Sequence, residues 1–354
     1  MRPVHIAAIV LLAVCVALPQ GSAAQSLTFS LFERYLESLR QQAGIPGLSA
    51  AIVQNRSIVW ERGFGLQDVE RSIAATPSTP YLVGGLTETF SSVLLLTCVE
   101  RGQLNLDDPI RRWTTAIPEQ SATVRHVLAH ASSGSPGAAF RYDPSRYAAL
   151  SPVVDDCLDQ PFRKALAQTV LDRLGMADSV PGQDVGDASN GDRTHFDQGS
   201  LERYAAVLSR LATPYRVDRS SGRATRSDYP PRTLNAATGL ISTVRDLARY
   251  DAALDDRSLL RETLPLAWSN MVSSGGTTLP FGLGWFVQRY NADRIVWHFG
   301  LSPDSFSSLV LKVPDRNLTL ILLANSDGLS ATFSLADGDV TRSLFATLFL
   351  RLVV

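Results

Sequence analysis

A chain of 354 residues exceeds what one hydrophobic core usually serves, since single cores stop growing near ~250–300 residues, so two lobes are expected. Hydrophobic residues make up 45% and charged residues 19%, which supplies a large core and excludes wholesale disorder. The 33 basic and 34 acidic residues give a formal net charge of −1 with no long like-charged block, which excludes the basic footprint of a nucleic-acid binder.

In chain order, Arg2 precedes an apolar run over residues 6–18, and Pro19, Gly21, Ser22 and Ala24 follow. This pattern predicts an export signal over residues 1–24, cleaved after Ala24, and an exported product, periplasmic or extracellular. The run is too short for a good bilayer span, so no stable membrane span is expected once the signal is removed. An uncleaved anchor is the competing reading. Residues 27–43 show a helical stripe of Leu27, Leu31, Tyr35, Leu36 and Leu39. Residues 48–54 and 58–61 are β-rich around Asn55-Arg56, which predicts a hairpin. A helix over 86–101 is apolar on nearly every face and is therefore central. Short helices are expected near 123–131, 145–157 and 160–173, a loop over 183–197, and helices over 243–254 and 261–271. Strands are expected over 283–289, 294–298, 306–313 and 318–323, and a last helix over 341–352.

Early and late strands can thus share one antiparallel sheet with the terminal helices on its face, an α/β arrangement of the α+β type with an inserted all-α lobe. Residues 25–80 plus 235–354 form the expected sheet lobe, and residues 81–234 the mainly helical one. The cleft between lobes is the favoured ligand site. After signal removal only Cys98 and Cys157 remain, and a disulfide or two buried thiols both fit. His126 and His130 lie four apart, but Val127 stands where a zinc hydrolase carries glutamate, so both read as structural and no metal is expected.

Several motifs then appear in order. Residues 81–90, Tyr-Leu-Val-Gly-Gly-Leu-Thr-Glu-Thr-Phe, are similar to the serine-bearing segment of class C β-lactamases, DD-peptidases and related esterases. Residues 126–134, 171–176, 235–250, 281–285 and 321–328 resemble further segments of that penicillin-binding-protein-like family. Phe140-Arg141-Tyr142 resembles the start of its Tyr-x-Asn motif, and His298-Phe299-Gly300 its His-x-Gly form. The resemblance covers nearly all of the chain after residue 24. It implies the serine β-lactamase/DD-peptidase-like fold, no cofactor, and a site at Gly85, Glu88, Tyr142, His298 and Gly300. The backbone N–H groups of Gly85 and Leu301 would be its oxyanion donors.

The chain departs from the family where the chemistry is. Gly85 occupies the nucleophilic serine's position and Glu88 that of the lysine three residues on, so neither can act as in the family. Only Lys164 and Lys312 are lysines, and Pro161 and Leu309 precede them by three, so Ser-x-x-Lys is absent. A Gly-x-Ser-x-Gly elbow is absent as well, and Pro144 replaces the asparagine of Tyr-x-Asn. Glu88 reads most simply as a cap on free N–H groups at its helix start. The sharper reading puts a water in the space left by the missing serine side chain, held by Glu88 or Tyr142. The expectation is an exported pseudo-enzyme that binds a peptidoglycan peptide, a small acyl ligand or a partner. The alternatives are a hydrolase with another nucleophile or direct water attack on esters, β-lactams or D-Ala peptides, and an interaction protein with a vestigial cleft.

Overall fold

The computed structural model describes residues 21–187 and 194–354. The apolar run of the expected export signal lies outside them. Helix α1 (Gly21–Gln42) leads into β1 (Gly47–Gln54) and β2 (Ser57–Asp68). Asn55 and Arg56 turn that hairpin with φ of 50° and 66°, the paired left-handed conformation that suits the twist of two strands. Then come β3 (Ile73–Ala74), β4 (Tyr81–Leu82), α2 (Thr87–Glu100), α3 (Val124–Leu128), α4 (Pro144–Tyr147), α5 (Ser151–Leu158), α6 (Phe162–Leu166) and β5 (Val180–Pro181). Beyond these lie α7 (Gln198–Leu208), β6 (Tyr215–Val217), β7 (Ala224–Arg226), β8 (Leu240–Ser242), α8 (Val244–Asp255) and α9 (Leu264–Ala267). The chain closes with β9 (Phe286–Tyr290), β10 (Asp293–Ser302), β11 (Phe306–Val313), β12 (Leu318–Ala324) and α10 (Leu344–Leu352).

Seven strands form one sheet in the order β3-β2-β1-β12-β11-β10-β9, and every pairing is antiparallel. The register puts Ala50 opposite Leu322, Leu322 opposite Leu309, and Leu309 opposite Phe299. These residues face the terminal helices, where Phe32, Leu36, Phe345 and Phe349 complete a buried layer. The alternate residues Ala51, Ile321, Val310 and Val296 face the other way and join the helical block in a second core. Period-two alternation therefore fixes the direction of His298, which lies opposite Val310 and points to the helical side.

Helix α2 is the axis of that side. Thr87 through Cys98 are all buried, which explains why, Glu88 apart, that stretch is apolar or small on nearly every face. Phe90 stacks on Tyr250 of α8 at 3.9 Å between ring centroids, and Ser92 donates to the Leu283 carbonyl at 2.6 Å. A disulfide joins Cys98 to Cys157 of α5, which resolves the two readings of that pair.

Some expected elements differ. Of the helix over 261–271 only α9 forms, because Pro265 sits in its first turn and Glu100 caps it by accepting from the N–H groups of residues 261–263. The strand over 283–289 begins only at Phe286, since Gly284 takes φ +84° where a Cβ would stand 2.4 Å from Ser92 Cβ. The stretch after α6 continues as wide π-type turns over Ala167–Asp172. Helix α7 and the β6–β7 hairpin have no counterpart in the sequence reading, and part of the loop expected over 183–197 lies outside the described residues.

Candidate active site

The site is built where the start of α2 meets β10. Val83 is tied down from two sides: its N–H donates to Leu240 O at 2.9 Å, and its carbonyl accepts from Ser308 Oγ at 2.7 Å. Gly84 then turns with φ +55°, close against Leu301 N and Gly300 Cα; a Cβ there would stand 3.0 and 3.2 Å from those atoms. A short 3-10 turn, Gly84–Leu86, delivers the chain into α2. This puts Gly85 and Glu88 on one side of the helix start, facing Tyr142 and His298.

Gly85 has no free space beside it. A Cβ would stand 2.7 Å from Tyr142 Oη, 2.8 Å from the Phe299 carbonyl oxygen and 3.5 Å from His298 Cε1. The room that a serine side chain would need is taken. Aromatic packing holds this closure. Tyr142 lies between Phe299 and Phe286, at 5.2 and 5.7 Å, and Phe286 stacks on Trp297 at 4.2 Å.

Glu88 is fully buried and caps nothing; the start of α2 has no side-chain cap. The capping expectation fails because the carboxylate turns inward, where better donors wait. Its Oε2 lies 2.9 Å from His130 Nε2 and 3.2 Å from His298 Nε2, and its Oε1 accepts from the Tyr142 hydroxyl at 3.4 Å. Tyr147 donates to the Glu88 backbone carbonyl at 3.2 Å. Burial works against the Glu88 charge, yet the two histidines outweigh it and hold the carboxyl below its usual range. The same anion acts in reverse on Tyr142. Burial first, then the Glu88 carboxylate, push its hydroxyl well above the ordinary tyrosine value, so it stays protonated. A lysine at position 88 would have favoured the phenolate; a glutamate disfavours it.

His130 is the residue that the sequence reading misassigned. His126 is structural, since it forms the capping box of α3 with Thr123. His130, just past that helix with φ +50°, points into the site instead. Its backbone carbonyl accepts from Arg141 N at 2.8 Å and its Nδ1 from Asp143 N at 3.1 Å, which fixes the backbone on either side of Tyr142. A buried carboxylate needs donors, and the imidazoles of His130 and His298 supply them here. Lys312 is not one of them. It lies on β11, bonded to Asp251 and Asp255 of α8. Pro144 opens α4 as its first residue, with Asp143 as the N-cap, so the altered Tyr-x-Asn motif has become a helix start. Among the described residues no group of three or more His, Cys, Asp or Glu is placed to hold a metal ion. At Glu88 both imidazoles converge on one carboxylate oxygen.

Comparison with known proteins bears on the family and the fold. The β-lactamase family profile matches residues 32–340, so the chain belongs to the β-lactamase family. Protein Flp of Staphylococcus aureus is 23% identical over 325 residues, 80% of this chain and 60% of Flp, so the chain spans less than two thirds of that relative. Penicillin-binding protein 4* of Bacillus subtilis is 24% identical over 308 residues, 76% of this chain and 66% of the relative. The octameric penicillin-binding protein homologue from Pyrococcus abyssi superposes with a TM-score of 0.73 at 21% identity, covering 92% of this chain and 77% of its own, which establishes the shared fold.

Proposed function

We propose that this chain is an exported, catalytically silent member of the β-lactamase family that acts by binding a ligand or partner and not by acyl transfer. The crowding at Gly85 carries the reading: a nucleophile there would collide with Tyr142 Oη and Phe299 O. The absence of Ser-x-x-Lys, the protonated Tyr142 and the occupied Glu88 carboxylate point the same way. The Cys98–Cys157 bond suits an oxidising compartment and so supports export to the periplasm or beyond. Family likeness suggests a peptidoglycan peptide or a small acyl compound as the ligand.

The test combines covalent labelling with a fluorescent penicillin, intact-mass measurement and turnover of a p-nitrophenyl ester. No adduct and no turnover are expected, and a stoichiometric adduct on any residue would refute the reading. A thermal shift with muropeptides or D-Ala-D-Ala peptides marks a binding protein, and a flat screen marks a vestigial cleft.

A further inference from the structure

The hydrogen bonds around Glu88 fix a proton count. His130 Nδ1 accepts from a backbone N–H, so its Nε2 carries the ring's proton and donates to Glu88 Oε2. His130 is thereby satisfied at both ring nitrogens. His298 differs. Its Nδ1 lies 2.9 Å from the Phe299 carbonyl, which can only accept, so Nδ1 carries a proton. Its Nε2 lies 3.2 Å from Glu88 Oε2. Without a further proton, a lone pair would face a carboxylate at a place with no exposure on either residue. One proton must therefore lie between Glu88 Oε2 and His298 Nε2, as imidazolium with carboxylate or as imidazole with carboxylic acid.

We propose that this shared proton is a latch: it holds β10 against the start of α2, and its loss at alkaline pH opens the closed site beside Gly85. The proposal deepens the reading of a silent, closed site and rests on it. The latch spans the two elements whose contact closes the site, Glu88 on α2 and His298 on β10. The other groups that face it are His130 after α3, Tyr142 with its hydroxyl on Glu88, and Tyr147 on α4. Asp143 meets His130 through its backbone, and its carboxylate turns to Ser145 and Arg146 N–H. Arg146 is engaged by Glu119 and Ser132. Phe281 and Phe286 complete the wall around His298. Among the described residues no lysine or arginine pairs with Glu88, so the shared proton is its source of positive charge.

The sign follows from proton counts. In an open, hydrated site a glutamate and a histidine titrate near ~4.3 and ~6.5. Between those values the open Glu88–His298 pair also carries one proton, so the pair itself adds no pH dependence there. Above them the open site sheds a proton that the closed site keeps, so opening rises about tenfold per pH unit.

The experiment uses the intact protein. Amide exchange at residues 84–88 and 298–301, corrected for the intrinsic base-catalysed rate, should lose protection about tenfold per pH unit on the alkaline side. The Glu88→Gln variant, whose amide needs no shared proton, should show no such slope. Protection flat into alkali, or an equal slope in Glu88→Gln, overturns the latch. Carboxyl 13C and imidazole 15N spectra of the unmodified protein count the proton without a variant. One proton on the pair at neutral pH supports the latch, and none refutes it. Penicillin labelling read in parallel separates the two claims: an adduct with the exchange slope intact sinks the silent-enzyme reading alone, and flat exchange without an adduct sinks the latch alone.

Discussion

Glu88 and Lys312 are both buried ions on the helical side of the sheet, and their surroundings neutralise them in opposite ways. Around Glu88 one carboxylate is shared by two imidazoles and a tyrosine hydroxyl. Around Lys312 one ammonium is shared by two carboxylates, Asp251 at 3.0 Å and Asp255 at 2.8 Å, with Thr319 at 3.1 Å. Lys312 lies opposite Val296 on β10, two residues from His298, so the same strand pair supports both clusters. The Lys312 cluster has a fixed positive charge at its centre and one surplus carboxylate, and Asp251 Oδ2 has no hydrogen-bond partner. The Glu88 cluster draws its positive charge from a proton that solvent can supply or withdraw. The first joins α8 to the sheet permanently; the second joins α2 to the sheet under conditions.

The largest effect that would test this contrast is at Lys312. Lys312→Met should cost about 3–5 kcal/mol in urea unfolding, because it strands two carboxylates in a dry site. Stability equal to that of the parent would mean that the cluster is hydrated and the contrast false. Next comes Gly85→Ser, expected to cost about 1–3 kcal/mol through overpacking against Tyr142 and Phe299 O. Adding Glu88→Lys should not produce ester hydrolysis; turnover by the folded double variant would show that the closure yields easily.

The smallest effect is the sharpest, since the two clusters should answer acid with opposite signs. The lowered carboxyl of Glu88 contributes stability that is present above its ordinary value of 4.5 and lost as pH falls through its folded value. Asp251 is raised, by burial first and then by Asp255, against the pull of Lys312. Its contribution is in place below its ordinary value of 3.8 and lost as pH rises through its folded value. Each slope is bounded by about 1.4 kcal/mol per pH unit. Urea unfolding across the acid range should lose the acid-side decline in Glu88→Gln and the opposite trend in Asp251→Asn. Slopes of one sign in both variants would break the comparison.

Much of this was legible in the sequence because it depends on local pattern. The period-two strands at 306–313 and 318–323, the all-apolar helix over 86–101 and the Asn55-Arg56 turn carry their structure in adjacent residues. The ordered motifs brought Gly85, Glu88, Tyr142, His298 and Gly300 to one place. What escaped depends on where side chains point. His126 and His130 share a helical spacing, but the left-handed turn at His130 sends one ring into the site and leaves the other as a cap. Glu88 at a helix start matches the capping pattern until the partners behind it are known. The crowding at Gly85 depends on Phe299 and Tyr142, over two hundred and over fifty residues further on, and no local pattern carries such a distance.

The Cys98–Cys157 bond acts on this site without touching it. Its 59-residue separation encloses both His130 and Tyr142 in one covalent ring, and that ring begins on the helix that carries Glu88. When the chain unfolds with the bond intact, those side chains stay at a high effective concentration around α2. Two of the three side chains bonded to Glu88 thus return to it by a search inside a closed loop, and His298 alone must arrive from the distant end of the chain.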